Sequence, residues 1–363
     1  MLSNQIIKSV IDGITLITRR ELSVLEREGK LIATTENEQP EQLGESITNF
    51  ILSQAESQFI QGYQLFKVYD AGHVEYVVTV KGENEENYRI GKLAAFQIQN
   101  LIVAYKERFD KDNFIKNLLL DNLLLVDIYS RAKKLRIERD ARRIVYLVEI
   151  NGENDWNLIE VMRNLFPEKG RDFVTAIDEN YIILVKELEK NDDITIIEQT
   201  AVEIRDTLGT ETLTPVKISI GTDVIDLKNV SHSFKEARMA LDVAKVFKPE
   251  SKIINYASLG IGRLIYQLPV PLCEIFVAEV LRGATIQSLD NETLQTVEKF
   301  FECHLNVSEA SRQLYIHRNT LIYRLDKIMK ITGLDLRNFE DSITFKITMM
   351  VSKYMEYKLM GLI

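Results

Sequence analysis

Polar and basic side chains of the kind that contact nucleic acid are concentrated in one short stretch near the C-terminus. The candidates begin with four consecutive residues and continue at helical spacing: His317, Arg318, Asn319, Thr320, Tyr323, Arg324 and Lys327. Asn can form two hydrogen bonds with adenine, and Arg can bind guanine or a phosphate. Hydroxyl and Lys side chains are suited to phosphate contacts. These residues are therefore predicted to bind DNA.

Two short helices joined by a tight turn would position these side chains. Apolar residues repeat at helical spacing over 307–314, and Asn306 precedes them as an N-cap. Residues 315–317 leave room only for a turn. A second helix is predicted over 318–332, because Gly333 can end it in the left-handed conformation.

The second helix has two chemically different faces. Three apolar residues are predicted to pack inward: Leu321, Leu325 and Ile328. The opposite face carries Asn319, Tyr323 and Asp326, and Asp326 would repel phosphate unless it pairs with Lys330. The alternative is a surface helix of a bundle with solvated charges. That alternative predicts neither a short partner helix nor Arg, Asn and Thr in the first turn, so the pattern favours a helix-turn-helix.

Composition is that of a globular protein with room for two or three domains. The 363 residues are 45% hydrophobic and 27% charged, with a net charge of −9. Residues 306–337 contain six basic and three acidic residues, so this segment carries +3. An acidic body behind a basic module discourages non-specific DNA binding and favours dependence on a dimer.

Targeting and metal-binding signals are missing from the sequence. Cys273 and Cys303 lack CxxC spacing and the four histidines are scattered, so no metal, cofactor or disulfide framework is expected. The N-terminus lacks a basic region followed by an apolar core. The richest apolar run, 117–126, is too short to span a bilayer. The protein is expected to be cytoplasmic, with no membrane partner.

Residues 1 to about 110 predict a small sheet flanked by helices, an arrangement that can hold a small ligand. The predicted elements are a helix over 4–18, a strand-turn-strand over 21–34, a helix over 41–60, a hairpin over 63–80 and a helix from about 86 to 109. A second helical stretch, 113–134, is Leu-rich. It is either a connector that carries a dimer contact or an ordinary core helix, and spacing alone does not separate these.

Strand and helix signals alternate over 140–258, which suits an antiparallel or mixed sheet covered by helices. Strands are predicted over 143–150, 173–177, 181–185 and 216–220, and helices over 154–166, 194–208 and 231–247. From Leu259 onward nearly all of the chain is predicted to be helical, and Pro269 and Pro271 mark the entry to the helical domain.

The C-terminal stretch resembles the Fis-type helix-turn-helix of the PucR and carbohydrate diacid regulator (CdaR) families of bacterial transcription factors. The residues that carry this resemblance are 316–321, 323–325, 332–336 and 338–339. Ile220-Gly221, followed by Ser233, Ala237 and Ala240-Leu241, is similar to the GGDEF-like domain of these regulators. Val24, the run 28–32 and Gly82-Glu83 are similar to their sugar-diacid recognition domain.

The resemblance implies an α+β multidomain protein in four parts. Residues 1–110 form a sugar-diacid-recognition-like α/β sensor domain, and residues 111–139 form a helical linker. Residues 140–258 form a degenerate GGDEF-like α+β domain. Residues 259–363 form an all-α, PucR-type helix-turn-helix domain.

Effector-binding candidates follow from the chemistry of a dianion, which needs cations or the N–H groups at a helix start. The diacid domain usually has an Ile-Gly near a His-Glu-Gly-Ala run. This chain has Leu43-Gly44 followed by Glu-Ser-Ile-Thr at 45–48, so the His and Glu are missing. The predicted ligand-binding residues are Arg19, Arg20, Gly44, Lys67 and Lys81. The alternative for the four cations is a solvated surface position.

The turn of the central hairpin argues against an enzyme. An active diguanylate cyclase carries a Gly-Gly-Asp-Glu-Phe signature there, where the backbone approaches phosphates and carboxylates hold metal. Residues 175–180 read Thr-Ala-Ile-Asp-Glu-Asn, an ordinary turn without the glycines. We therefore predict no catalytic residues, and a domain that dimerises or relays a signal.

The resemblance implies a sequence-specific DNA-binding transcriptional regulator that activates a carbohydrate or small-acid catabolic operon. Its expected partners are double-stranded operator DNA and a small-molecule effector, such as a sugar diacid, bound by the N-terminal domain. A homodimer or higher homo-oligomer is expected, because a dimer can read two half-sites. Two alternatives stay open: a nucleotide-binding protein that uses the GGDEF-like domain, and a scaffold with a vestigial helix-turn-helix.

Overall fold

The computed structural model describes residues 3–36, 43–150, 156–167, 171–212 and 216–360. The chain divides into two compact units, Met1–Phe114 and Ile115–Ile363. The first contains a sheet with helices, and the second contains a sheet domain followed by a helical region. The predicted α+β class is confirmed. The finer division into four parts stays a prediction.

The first unit is built on a five-stranded antiparallel sheet of order β2-β1-β5-β4-β3. Its strands are β1 (Leu22–Glu26), β2 (Leu31–Thr34), β3 (Ser57–Ile60), β4 (Tyr63–Asp70) and β5 (His73–Lys81). Its helices are α1 (Asn4–Thr18), α2 (Gly44–Leu52) and α3 (Glu85–Leu119), and α3 runs on past residue 114.

Alternation along the strands gives this sheet two apolar faces. Val24 and Val78 lie in one cluster with residues of α1 and α3, such as Ile98. Leu25 and Val77 are the strand neighbours of Val24 and Val78, so they face the opposite side of the sheet. They lie in a second cluster with residues of α2. Helices therefore cover both faces.

Two helices of the first unit end at other residues than the sequence predicts. The helix predicted over 41–60 is α2 followed by β3, because Ser53 is extended and 57–60 pair with β4; residues 41 and 42 lie outside the described part. The helix predicted to stop near 109 continues to Leu119, because no glycine or proline interrupts it. The break falls at Asp121, whose φ is +57°. The helix predicted over 113–134 is therefore the end of α3 and a separate α4 (Leu125–Lys134).

The second unit begins with a six-stranded sheet of order β11-β9-β6-β8-β7, with β10 also paired to β6. Its strands are β6 (Asp140–Glu149), β7 (Phe173–Asp178), β8 (Tyr181–Glu187), β9 (Lys217–Ile220), β10 (Val224–Asp226) and β11 (Ile253–Asn255). The helices of this region are α5 (Trp156–Leu165), α6 (Ile194–Thr212) and α7 (Val230–Phe247). Residues of α5 and α6 share a core with one face of β6 and β8, and α7 packs against β6 and β9.

Gly221 is required by the close approach of α7 to the sheet. The Gly221 N–H donates to the Val145 carbonyl at 3.0 Å, and the Val145 N–H donates to Ser233 Oγ at 3.1 Å. A Cβ atom on Gly221 would lie 2.1 Å from the Ser233 carbonyl oxygen. This contact gives a physical reason for the Gly221 and Ser233 pattern in the sequence.

Gly221→Ala is expected to lower the free energy of unfolding by at least about 1–3 kcal/mol, because backbone must move to relieve the clash. Thermal unfolding followed by circular dichroism measures this. Gly209→Ala in α6 is the control, since nothing lies within 4 Å of its Cβ position. That variant should gain up to about 1 kcal/mol from helix propensity. Equal behaviour of the two variants would contradict the packing described here.

The C-terminal region is helical, as predicted. It contains α8 (Gly262–Ile265), α9 (Val270–Val280), α10 (Asn291–Glu302), α11 (Val307–Gln313), α12 (Arg318–Thr332) and α13 (Phe339–Leu359). Pro269 is the N-cap of α9 and Pro271 lies in its first turn, where the missing N–H costs nothing. In the part of the chain that the structure describes, no helix is both long and apolar enough to cross a membrane.

Asp242 on α7 lies in a polar contact with the C-terminal helices. Tyr266 donates to its carboxylate at 3.3 Å, and Lys245 lies 3.9 Å away. Burial raises the pKa of the Asp242 carboxyl above its ordinary value, against the opposing effect of Lys245. The folded state therefore binds this proton more tightly than the unfolded state, and the ionised carboxylate weakens the fold at neutral pH.

Asp242→Asn is expected to raise the thermal unfolding midpoint at pH 7, since Asn still accepts from Tyr266 and carries no charge. The gain should shrink as pH falls through the folded-state pKa of Asp242, because the wild-type carboxyl then becomes neutral too. Unfolding midpoints of the two proteins across pH 4 to 7.5 measure the difference. A gain that is independent of pH would contradict this account.

Candidate nucleic-acid interface

The helix α11 begins and ends through local signals. The Asn306 side chain accepts from the N–H groups of Ser308 and Glu309, each at 3.1 Å, so it is the N-cap that the sequence predicts. Ala310 is fully buried at the crossing with α12. The Glu309 carboxylate accepts hydrogen bonds from Arg312 and Gln313 rather than from the N–H of the N-cap residue, Asn306.

A three-residue turn joins α11 to α12. Tyr315 adopts a φ of +56° and its side chain is 96% exposed. Ile316 packs against the core beneath the turn, as predicted. His317 is the N-cap of α12, and its Nδ1 accepts from the Asn319 N–H at 3.2 Å. This cap satisfies one of the N–H groups at the start of α12.

The inward face of α12 is the predicted one. Leu321, Leu325 and Ile328 are buried in one cluster with residues of α10, α11 and α13. Gly333 ends the helix with a φ of +80°, and a Cβ there would overlap the Arg282 guanidinium. The helix-turn-helix is therefore held by a continuous apolar core.

Arg324 and Lys327 are tied to α10. The Arg324 guanidinium donates to Thr296 Oγ1 at 2.8 Å and pairs with the Glu292 carboxylate, and its side chain is 18% exposed. Lys327 pairs with Asp290, the N-cap of α10. Lys327, together with the Thr293 hydroxyl and N–H, holds the pKa of the Asp290 carboxyl below its usual range. These two cations brace α12 against α10.

The other predicted α12 residues face solvent. Arg318, Asn319, Thr320 and Tyr323 are all exposed. Arg318 forms no hydrogen bond or ion pair with the residues that the structure describes. The N–H groups at the start of a helix carry partial positive charge, which suits a phosphate nearby. This first turn therefore combines exposed hydrogen-bonding side chains with the partial positive charge of the helix start.

Two further residues on this surface were not predicted from the sequence to bind DNA. Lys330 is exposed and lies seven positions after Tyr323, on the same helix face. Tyr315 presents an aromatic ring beside the start of α12. The i, i+7 spacing could have identified Lys330, whereas the exposure of Tyr315 depends on the turn conformation.

The Asp326 carboxylate pairs with a different residue from the one that the sequence suggested. Arg337, rather than Lys330, pairs with it at 3.0 Å, and Arg337 also pairs with Asp335 at 2.7 Å. The chain reaches this position because it reverses at Gly333. Lys330 consequently has no ion-pair partner among the described residues.

The five predicted ligand-binding residues lie on different elements of the first unit. Arg20 pairs with Glu86 of α3 at 2.7 Å. Lys67 is buried, donates to the Ser53 carbonyl at 2.6 Å and lies 4.9 Å from the centroid of the Phe50 ring, on the α2 side of the sheet. The remaining three occupy the end of α1, the first position of α2 and the exposed end of β5: Arg19, Gly44 and Lys81.

The central hairpin turn is stabilised by a side chain of its own. It connects β7 to β8, and the Asn180 N–H donates to the Asp178 side chain at 2.9 Å. This is an Asx turn, in which the Asp side chain stabilises the reversal itself.

Comparison with known families assigns two regions of the chain. Residues 293–351 match the PucR C-terminal helix-turn-helix domain, a range that includes most of α10, all of α11 and α12, and most of α13. Residues 122–243 match the GGDEF-like domain. The Ile220-Gly221 and Ser233 pattern lies inside the second match.

Relatives of known name align over different lengths. The carbohydrate diacid regulator of Escherichia coli (strain K12) is 22% identical over 304 residues, which cover 78% of this chain and 77% of that protein. The purine catabolism regulatory protein of Bacillus subtilis (strain 168) is 30% identical over 128 residues, 35% of this chain and 24% of that protein. The proline-responsive transcriptional activator PutR of the same organism is 26% identical, covering 62% of this chain and 59% of that protein.

The two family matches occupy the central sheet domain and the helix-turn-helix in the expected order, and the first relative aligns across most of the chain. The chain therefore contains a PucR-type helix-turn-helix domain and a GGDEF-like domain, and it is similar to the carbohydrate diacid regulator over most of its length.

Proposed function

We propose that this protein is a sequence-specific DNA-binding transcriptional regulator that places α12 in the major groove. The observation that carries the proposal is the exposed first turn of α12 within a helix-turn-helix of the PucR type. Such a turn is the part of a recognition helix that reaches base edges. The named relatives are regulators, which supports the same function.

The predicted DNA-binding residues divide into two groups. Asn319 and Arg318 are placed to bind base edges or phosphate, with Thr320 and Tyr323 beside them. Lys330 extends the same face. Arg324 and Lys327 hold α12 in position through Glu292 and Asp290, and His317 caps the helix. We assign the second group to positioning.

We further propose that the first unit binds a small metabolite and that the protein activates a carbohydrate or small-acid catabolic operon. The names of three relatives refer to carbohydrate diacids, purine catabolism and proline, and these links to small metabolites support the proposal. A metabolite can shift the regulator only through different affinities for its two states. The central domain acts as a scaffold in this proposal, since its hairpin turn lacks the glycines of a cyclase.

Selection of genomic DNA fragments by the purified full-length protein tests the proposal. Recovery of a few promoter fragments, with affinity falling steeply as salt rises, is the expected result. The genes beside those promoters then give the class of effector to titrate. Uniform recovery across the genome, with and without cell metabolites, would overturn the regulator proposal.

A further inference from the structure

The helix α3 has two apolar faces that point in opposite directions. One face is buried in the first unit and includes Ile90, Ala94 and Ile98. The other carries Leu93, Phe96 and Val103, whose side chains are 56%, 63% and 60% exposed. A helix on the surface of a domain needs one apolar stripe to pack on its own core. The second stripe is therefore available to a partner.

The exposed stripe has the spacing of a coiled-coil seam. Its positions alternate by four and three residues, and we call them the α3 seam: Arg89, Leu93, Phe96, Asn100, Val103 and Glu107. This spacing keeps one side of a helix against a neighbouring helix over several turns. Asn100 lies in the middle of the seam and is its one uncharged polar position.

The charges of the α3 seam favour a second copy of the same helix in the opposite direction. The seam is basic at Arg89, apolar in the middle and acidic at Glu107. A parallel pair would set each charge against its own copy. An antiparallel pair sets Arg89 against Glu107, and the same register sets Leu93 against Val103 and brings Phe96 level with Asn100.

Both charged side chains can take part in such a pair. Arg89 pairs with Glu85, and Lys111 pairs with Glu107 at 2.9 Å, one turn along the helix in each case. Both remain more than half exposed, at 75% for Arg89 and 55% for Glu107. Their separation of 18 residues corresponds to about 27 Å of helix, so they cannot pair within one chain.

We propose that α3 mediates homodimerisation by packing antiparallel against α3 of a second copy through the α3 seam. The inference goes beyond DNA binding, since the helix-turn-helix could bind DNA whichever surface joins the copies. It also assigns the interface to a different segment from the Leu-rich stretch at 113–134.

Charge exchange across the α3 seam tests the proposal on the full-length protein. Arg89→Glu sets two acids against each other, and Glu107→Arg sets two bases against each other. Each is expected to weaken dimerisation by roughly tenfold or more in sedimentation equilibrium. The double variant Arg89→Glu/Glu107→Arg restores opposite charges and should return the dissociation constant to near the wild-type value.

Arg27→Glu is the matched control, because it makes the same charge change in the exposed turn between β1 and β2. It should leave dimerisation unchanged, and circular dichroism should show all four variants folded. A wild-type protein that stays monomeric overturns the proposal. So does a dimer that is insensitive to both single changes, or a double variant no better than the singles.

Discussion

Replacing Arg318 by Ala is expected to weaken binding to a selected operator fragment by about tenfold or more while leaving the thermal unfolding midpoint unchanged. Arg318 is exposed in the first turn of α12 and has no partner among the described residues, so its loss removes the proposed DNA contact and no intramolecular bond. Fluorescence anisotropy with labelled DNA measures the affinity, and thermal unfolding measures the stability.

Arg324→Ala is the matched comparison, because it removes the same charge from the same helix. Its guanidinium bonds to Glu292 and Thr296, so its loss should reduce local stability by about 1–3 kcal/mol as well as DNA affinity. Wild-type affinity of Arg318→Ala would show that this turn does not face DNA. Undiminished stability of Arg324→Ala would show that the brace to α10 is absent in solution.

Leu325→Ala is expected to destabilise the helix-turn-helix by about 2–5 kcal/mol, the range for a large-to-small change in a packed core. Leu325 is buried in one cluster with Phe300, Ala310 and Phe345, so the cavity would open where three helices meet α12. Hydrogen exchange of the amides over 291–332 measures the local loss, because the first unit need not unfold with this region.

Met329→Ala provides the control for this change. Met329 lies on the exposed side of the same helix, so its truncation opens no cavity. Its exchange rates should stay close to those of the wild type, and its operator affinity should fall far less than that of Leu325→Ala. Equal effects of the two changes would mean that α12 is not seated on this core.

Local signals predicted the helix-turn-helix closely. Asn306 caps α11, Gly333 ends α12, and apolar residues at helical spacing form the buried face, all as predicted. Each of these features depends on residues within a few positions of one another. Cap chemistry and helical periodicity are therefore sufficient to place them.

Long-range contacts explain what the sequence could not show. Arg324 and Lys327 look like phosphate ligands by residue type, but their partners Glu292 and Asp290 lie 32 and 37 positions away. The partner of Asp326 depends on the chain reversal after Gly333. No periodicity within α12 carries this information, because it is set by how α10 and the following turn pack.

An edge strand and a helix end in the first unit also could not be placed from local sequence. The strand β3 was predicted to be helical, and its conformation is decided by pairing with β4 rather than by its own residues. The end of α3 was placed near residue 109, although nothing there breaks a helix. The seam on its exposed side became recognisable only when the buried face was known.

The ratio of affinities for a recovered promoter fragment and a scrambled copy of it tests most directly whether α12 reads DNA sequence. Both affinities should be measured with the full-length protein at one physiological salt concentration. We predict that the recovered fragment binds about a thousandfold or more tightly than the scrambled copy, and that Asn319→Ala sharply reduces this ratio. A ratio near one for the wild-type protein, with and without candidate effectors, would show that α12 does not read DNA sequence.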